Sequence, residues 1–288
     1  MRWNRGDRSN IEDLRSGSGL GLRAGLPLGL GGLVVVMLLS WLTGTDILSL
    51  LSGGEGVPPS ASVPSSRPAA TTPEEERQVD FVDAVMSDAQ GMWQQLLGGR
   101  YQSTRVRLFR DVIQSGCGMA ESASGPFYCP GDHFVYLDLG FFDELRRRFG
   151  APGDFAQAYV ITHELGHHVQ ALLGIDQRVR AAQQARPSQA NALSVSLELQ
   201  ADCFAGVWGH AASQPGRAEQ GRVELEAGDA EAGLRAAAAV GDDRLQRMST
   251  GRVYPERFTH GSSEQRVTWF KRGLTSGDPQ ACSIGGGL

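Results

Sequence analysis

The stretch ITHELGHHVQ, residues 161–170, places three histidines and a glutamate within six positions, between the apolar neighbours AYV and ALLG. At about 100° per residue, a helix through it sets His163 and His167 only about 40° apart on one face. Two imidazoles one turn apart can share an ion, and Glu164 flanks them. His-Glu-x-x-His on a helix is the pattern that brings two ligands and a water-activating carboxylate to zinc. His168 falls about 140° from His163, so it is read as packing, surface or support rather than as a ligand. Gly166 weakens the helix but lets another segment come close.

A catalytic zinc takes three protein ligands and keeps one position open. Downstream candidates for the third are His210, His260 and the carboxylates. The strongest lie in LELQADCFAG, where Glu198 and Asp202 are four residues apart and share a helix face. Glu198 is expected to coordinate, with Asp202 accepting the free ring N–H of a bound histidine and so setting its tautomer. The flanking LSVSL and CFAGVW are too apolar for an exposed acid pair, and buried carboxylates need partners.

The N-terminus sets a second expectation. Residues 24–45 carry no charge and include LPLGLGGLVVVMLLSWL, long enough to cross a hydrocarbon core of about 30 Å. Arg2, Arg5, Arg8, Arg15 and Arg23 precede this span, and the next basic residue is Arg67. The positive-inside rule then places residues 1–23 in the cytoplasm and everything after the span outside it. The Pro-, Ser- and Gly-rich residues 46–73 read as a flexible linker, and 74–288 as the folded domain. The expected setting is a bacterial inner membrane, single-pass, with the domain extracytoplasmic (periplasmic). Four cysteines suit an oxidising compartment. Cys117–Cys129 and Cys203–Cys282 is the expected pairing, one of three that four cysteines allow. The formal net charge of −5 argues against a nucleic-acid partner.

Helices are expected over PEEERQVDFVDAVMSDAQGMWQQLL, FFDELRRRFG, GDFAQAYVITHELGHHVQALLG (capped by Asp154 and closed by Gly174), NALSVSLELQADCFAGVWGHAA (capped by Asn191), DAEAGLRAAAAVG and SSEQRVTWFKRGL. TRVRLFRDVI and HFVYLDL read as strands. The fold class is α+β: helix-dominated, with a small sheet, preceded by one transmembrane helix.

HELGH followed by ELQAD resembles the glutamate-zincin plan. RWNRGDRSNIEDLR, GPFYCPGD, YVITHELGHHVQ, LELQADCFAGVWGH, GDDRLQ and FTHGSSEQRVTWFKRG together resemble a family of bacterial, membrane-anchored neutral zinc metallopeptidases, over nearly the full length. The resemblance implies a zincin-like domain binding Zn2+ through His163, His167 and Glu198, with Glu164 as the catalytic base, acting on a protein or peptide substrate. His260, in THGSSEQR, is the candidate for stabilising an oxyanion beyond the metal, with Tyr136, Tyr159 and Tyr254 as weaker alternatives; His133 and His210 are read as structural. Two other functions stay open: a catalytically idle, zinc-stabilised binding module and a non-peptidase zinc hydrolase. An intact Glu164 favours an enzyme, since a purely structural zinc site usually closes with four protein ligands.

Overall fold

Thr72 and Pro73 start the first long helix, α1 (Pro73–Leu97), through a reciprocal capping box. The Thr72 hydroxyl accepts from the Glu75 N–H while the Glu75 carboxylate accepts from the Thr72 N–H, meeting two donors that a helix start leaves open. One face of α1 buries Val79, Val82, Val85, Met86, Ala89 and Trp93, the 3.6-residue spacing of a core-facing stripe. The computed structural model describes residues 1–15, 71–122 and 125–284. The expected membrane span at 24–45 and most of the linker at 46–73 lie outside the described residues. Among the described residues, no helix is long and apolar enough to cross a membrane.

Six strands are described: β1 (Ile11–Asp13), β2 (Arg105–Phe109), β3 (Val112–Ser115), β4 (Gly118–Glu121), β5 (Phe127–Cys129) and β6 (Phe134–Asp138). Four form a sheet in the order β1-β2-β6-β5, with β1, β2 and β6 parallel and β5 antiparallel to β6. Strands β3 and β4 make a separate hairpin. Strand β5 is therefore an edge, with amides left for partners outside the sheet.

The N-terminal strand changes the expected domain boundaries. Ile11, Glu12 and Asp13 pair in register with Val106, Arg107 and Leu108, and residues 1–15 belong to the same compact unit as residues 71–288. Charge fixes the arm as well as the ladder. Arg8 bonds Asp80 and Glu76, Arg15 reaches Glu76 at 3.0 Å, and the Asp83 carboxylate accepts from the backbone of Arg8 and Asn10. Three of the arginines that marked a separate cytoplasmic head in the sequence, Arg5, Arg8 and Arg15, are thus paired with acidic residues of α1.

Among the described residues the remaining α-helices are α2 (Gly140–Arg147), α3 (Asp154–Leu172), α4 (Ile175–Ala185), α5 (Ala190–Ala212), α6 (Asp229–Ala239), α7 (Asp242–Thr250) and α8 (Ser263–Ser276). Helices α4 and α7 are additions to the expected set; both are short and strongly polar, so periodicity alone marks them weakly. Two expected caps are corrected. Gly153, not Asp154, occupies the N-cap of α3, and Asp154 instead accepts from the Trp3 indole N–H at 3.1 Å. Gln189 precedes α5, while Asn191 donates to the Glu256 carbonyl.

Helix α5 packs against both α3 and α8. A Cβ on Gly166 would lie 3.1 Å from the Ala201 backbone, and Cβ atoms on Gly206 and Gly273 would overlap the facing backbone across α5 and α8. Bare glycines thus let the helices approach closely, as expected for Gly166. Phe155, Trp208 and Phe270 fill the apolar layer below. Both expected disulfides are present, Cys117–Cys129 and Cys203–Cys282, the second tying the C-terminal end to α5.

Candidate metal centre

Helix α3 carries His163, Glu164 and His167 to the wall of a cavity of about 640 Å3, and α5 brings Glu198 to the same wall. One donor atom from each of His163, His167 and Glu198 lies within 4.8 Å of the others. Nε2 of His163 faces Glu198 Oε2 at 3.2 Å, and Nε2 of His167 faces Glu198 Oε1 at 3.5 Å.

The other ring nitrogens are committed elsewhere. His163 donates Nδ1–H to Asp202 Oδ1 at 2.8 Å, and His167 donates Nδ1–H to Gln170 Oε1 at 2.8 Å. A metal-binding imidazole needs this arrangement: an acceptor on one nitrogen, a lone pair on the other aimed at the ion. Two imidazoles and a carboxylate are also a zinc donor set. The residues fit the ion.

Asp202 is wholly buried and does more than orient His163. Arg266, from α8, donates from Nε to Oδ2 and from Nη2 to Oδ1, both at 2.8 Å, and from Nη2 to the Tyr159 hydroxyl at 3.1 Å. The Tyr159 hydroxyl in turn donates to Asp202 Oδ1. Burying this carboxylate is costly, and the paired guanidinium offsets the cost. Burial raises the Asp202 pKa, but Arg266 and His163 outweigh it and hold the group below its ordinary range. For His163, burial opposes the charged ring; Asp202 and then Glu198 overcome it and push the pKa to about 10.

Glu164 points the opposite way. Burial raises its pKa against the pull of His163 and His167. Its Oε2 accepts the backbone N–H of Tyr128, on edge strand β5, at 2.9 Å. It stands beside the ligand trio rather than in it.

His260 reaches the cavity from the loop before α8. Its side chain is 53% exposed, and Nδ1 lies 3.3 Å from Asp242 Oδ1. Asp242 Oδ2 also accepts the backbone N–H groups of Thr259, His260 and Gly261. The bond to Asp242 raises the His260 pKa against burial.

The three tyrosines first weighed for the oxyanion are placed differently. The Tyr159 hydroxyl is held by Asp202 and Arg266, whereas Tyr136 and Tyr254 do not line the cavity. His133 and His210 also lie off the metal site: His133 bonds the Tyr128 hydroxyl and His210 the Leu274 carbonyl.

Sequence reasoning missed Gln170, Arg266 as a clamp on Asp202, and Asp242. Gln170 had a local signal, since it stands three residues after His167 on one helix. Arg266 and Asp242 lie in FTHGSSEQRVTWFKRG and GDDRLQ, two of the segments that carry the family resemblance, but no local signal pointed to their partners, which are distant in the chain.

No solved structure matches the chain. The uncharacterized protein YpfJ of Escherichia coli K12 is 46% identical over 297 residues, covering 99% of each chain. The uncharacterized protein Rv2575 of Mycobacterium tuberculosis H37Rv is 46% identical over 205 residues, 70% of this chain and 68% of that one. The family described as "Putative neutral zinc metallopeptidase" matches residues 1–284, and the chain belongs to that family.

Proposed function

We propose that the chain is a zinc-dependent peptidase whose body works outside the cytoplasm. The observation that carries the reading is the convergence of His163, His167 and Glu198 donors within 4.8 Å, with Glu164 beside them on the cavity wall. A zinc ion there supplies Lewis acidity for the scissile carbonyl and the attacking water. Glu164 takes the proton from that water and passes it to the leaving amine. His260, steadied by Asp242, donates a hydrogen bond to the oxygen that gains charge. Holding an ion requires none of Glu164, His260 and Asp242, which favours hydrolysis over an idle binding module.

Apolar side chains line much of the rest of the cavity, among them Phe127, Phe141, Phe149, Val160 and Leu245, alongside the charged Glu144, Arg148, Asp176 and Arg180. They suit an extended peptide better than a small polar molecule. The two disulfides support an oxidising compartment. Because β1 and β2 are hydrogen-bonded neighbours, residues 1–15 share that compartment in this reading. Membrane attachment, supported by the apolar composition of residues 24–45, then has to leave both strands on one side. In this reading the attachment differs from the single crossing expected from the arginine asymmetry.

The test is cleavage of fluorescein-labelled casein by purified protein, with and without a zinc chelator. Chelator-sensitive cleavage that is lost in Glu164→Gln supports the reading. A zinc-loaded wild type that leaves casein and unfolded peptides intact sinks it.

A further inference from the structure

His168, the third histidine of HELGHH, has no place among the metal donors, yet it is only 1% exposed. Its Nε2–H donates to the Gln102 carbonyl at 2.6 Å, which leaves Nδ1, 3.1 Å from the Tyr128 hydroxyl, to accept. The same hydroxyl oxygen takes a bond from His133 Nδ1–H at 2.9 Å. The imidazole also meets the Tyr128 ring edge-on, with centroids 5.3 Å apart. The Tyr128 side chain is thus pinned from both sides.

Tyr128 is the residue whose backbone N–H bonds Glu164 Oε2. It sits on an edge strand, where its amide is not needed by the β5–β6 ladder. Pinning the side chain fixes the depth of β5 against α3, and with it the donor that aims the Glu164 carboxylate. A buried histidine with both nitrogens bonded is a rigid link, and shifts of about 1 Å at a catalytic group can cost about 100-fold in rate.

We propose that His168 is a positioning residue for Glu164, acting through Tyr128. The proposal rests on the reading of Glu164 as the base. Two measurements test it. One is backbone amide hydrogen exchange at Tyr128, which needs neither substrate nor metal. The other is casein turnover alongside zinc content.

In His168→Leu, exchange at Tyr128 is expected to speed by about tenfold or more, with Val135 and Leu137 in the neighbouring strand unchanged. The kcat should fall about 10–100-fold, with KM and zinc content held within about twofold. His168→Gln retains a donor and an acceptor and should recover much of both. Should His168→Leu fail to fold, Tyr128→Phe removes only the hydroxyl and carries the same expectation. Unchanged exchange at Tyr128 overturns the proposal, as does zinc lost in step with activity. A wild type that cleaves no casein defeats the peptidase reading, while amide exchange still decides whether His168 positions Tyr128.

Discussion

Oε1 of Gln170 lies 2.8 Å from Nδ1 of His167, one turn along the same helix. Gln170 is itself held by donating to the Leu197 carbonyl at 2.7 Å and to Gln200 Oε1 at 3.1 Å. Gln200 then donates to the Cys282 carbonyl. One histidine ligand is therefore oriented through a chain of amides that ends beside the Cys203–Cys282 disulfide. The other is oriented by the Arg266-clamped Asp202.

Gln170→Leu should weaken zinc binding about 10–100-fold, the usual cost of losing a partner behind a ligand. Competition with a chromophoric chelator measures it. Wild-type affinity in this variant would show that His167 needs no partner.

Ligation and catalysis should separate by substitution. Glu164→Gln is expected to keep about one zinc per chain while casein cleavage collapses, because the base is lost and the ligand trio is untouched. Glu198→Ala removes a ligand and should lower zinc content and activity together. Full zinc and full activity in Glu198→Ala would move the third ligand elsewhere.

His260 and Asp242 should act in the chemical step. His260→Ala is expected to lower kcat about 100-fold with zinc content unchanged, the scale for losing one oxyanion donor. Asp242→Asn should cost less, since the imidazole stays but is held less firmly. Steady-state kinetics with metal analysis checks both, and an unaltered kcat in His260→Ala removes it from the mechanism.

Zinc uptake should depend on pH through His163. In the metal-free chain its pKa is raised to about 10 by Asp202 and Glu198 acting against burial. The ring is therefore protonated at neutral pH, and zinc must displace that proton. Apparent affinity should rise about tenfold per pH unit for each proton displaced between about pH 7 and 9. Affinity independent of pH over that range would contradict the charged pairing.

Residues 1–15 and the body should label as one compartment. In membranes from cells carrying Asn4→Cys or Arg147→Cys, an impermeant maleimide should reach both positions or neither. The native cysteines are paired in disulfides and stay silent. Labelling of only one of the two would show that β1 and β2 are not partners within one chain.

Breaking Cys203–Cys282, by Cys282→Ser with Cys203→Ser, should lower unfolding stability by about 2–5 kcal/mol, as expected for a long closed loop. Denaturant melts measure it. Because Gln200 bonds the Cys282 carbonyl, the same variant should also loosen zinc.

Local signals carried much of this protein. His163 and His167 share a face because a helix turns by about 100° per residue, and Glu198 and Asp202 do so for the same reason. The two helices that carry the site announce themselves by apolar content, whereas the expected cysteine pairing was one of three that the sequence allows, and the fold selects it. What the tertiary structure alone decided are relations between residues far apart in the chain. Arg266 clamps Asp202 across 64 positions, Tyr128 aims Glu164 from an edge strand, and Asp242 holds the loop that carries His260. The N-terminal arm is the sharpest case. Its arginines read as a cytoplasmic flank because the sequence places them next to an apolar run, whereas the fold spends Arg5, Arg8 and Arg15 on acidic partners, chiefly Asp80 and Glu76 of α1. Charge along a chain does not tell whether a basic side chain meets lipid headgroups or a carboxylate; only the packing that brings its partner within reach decides.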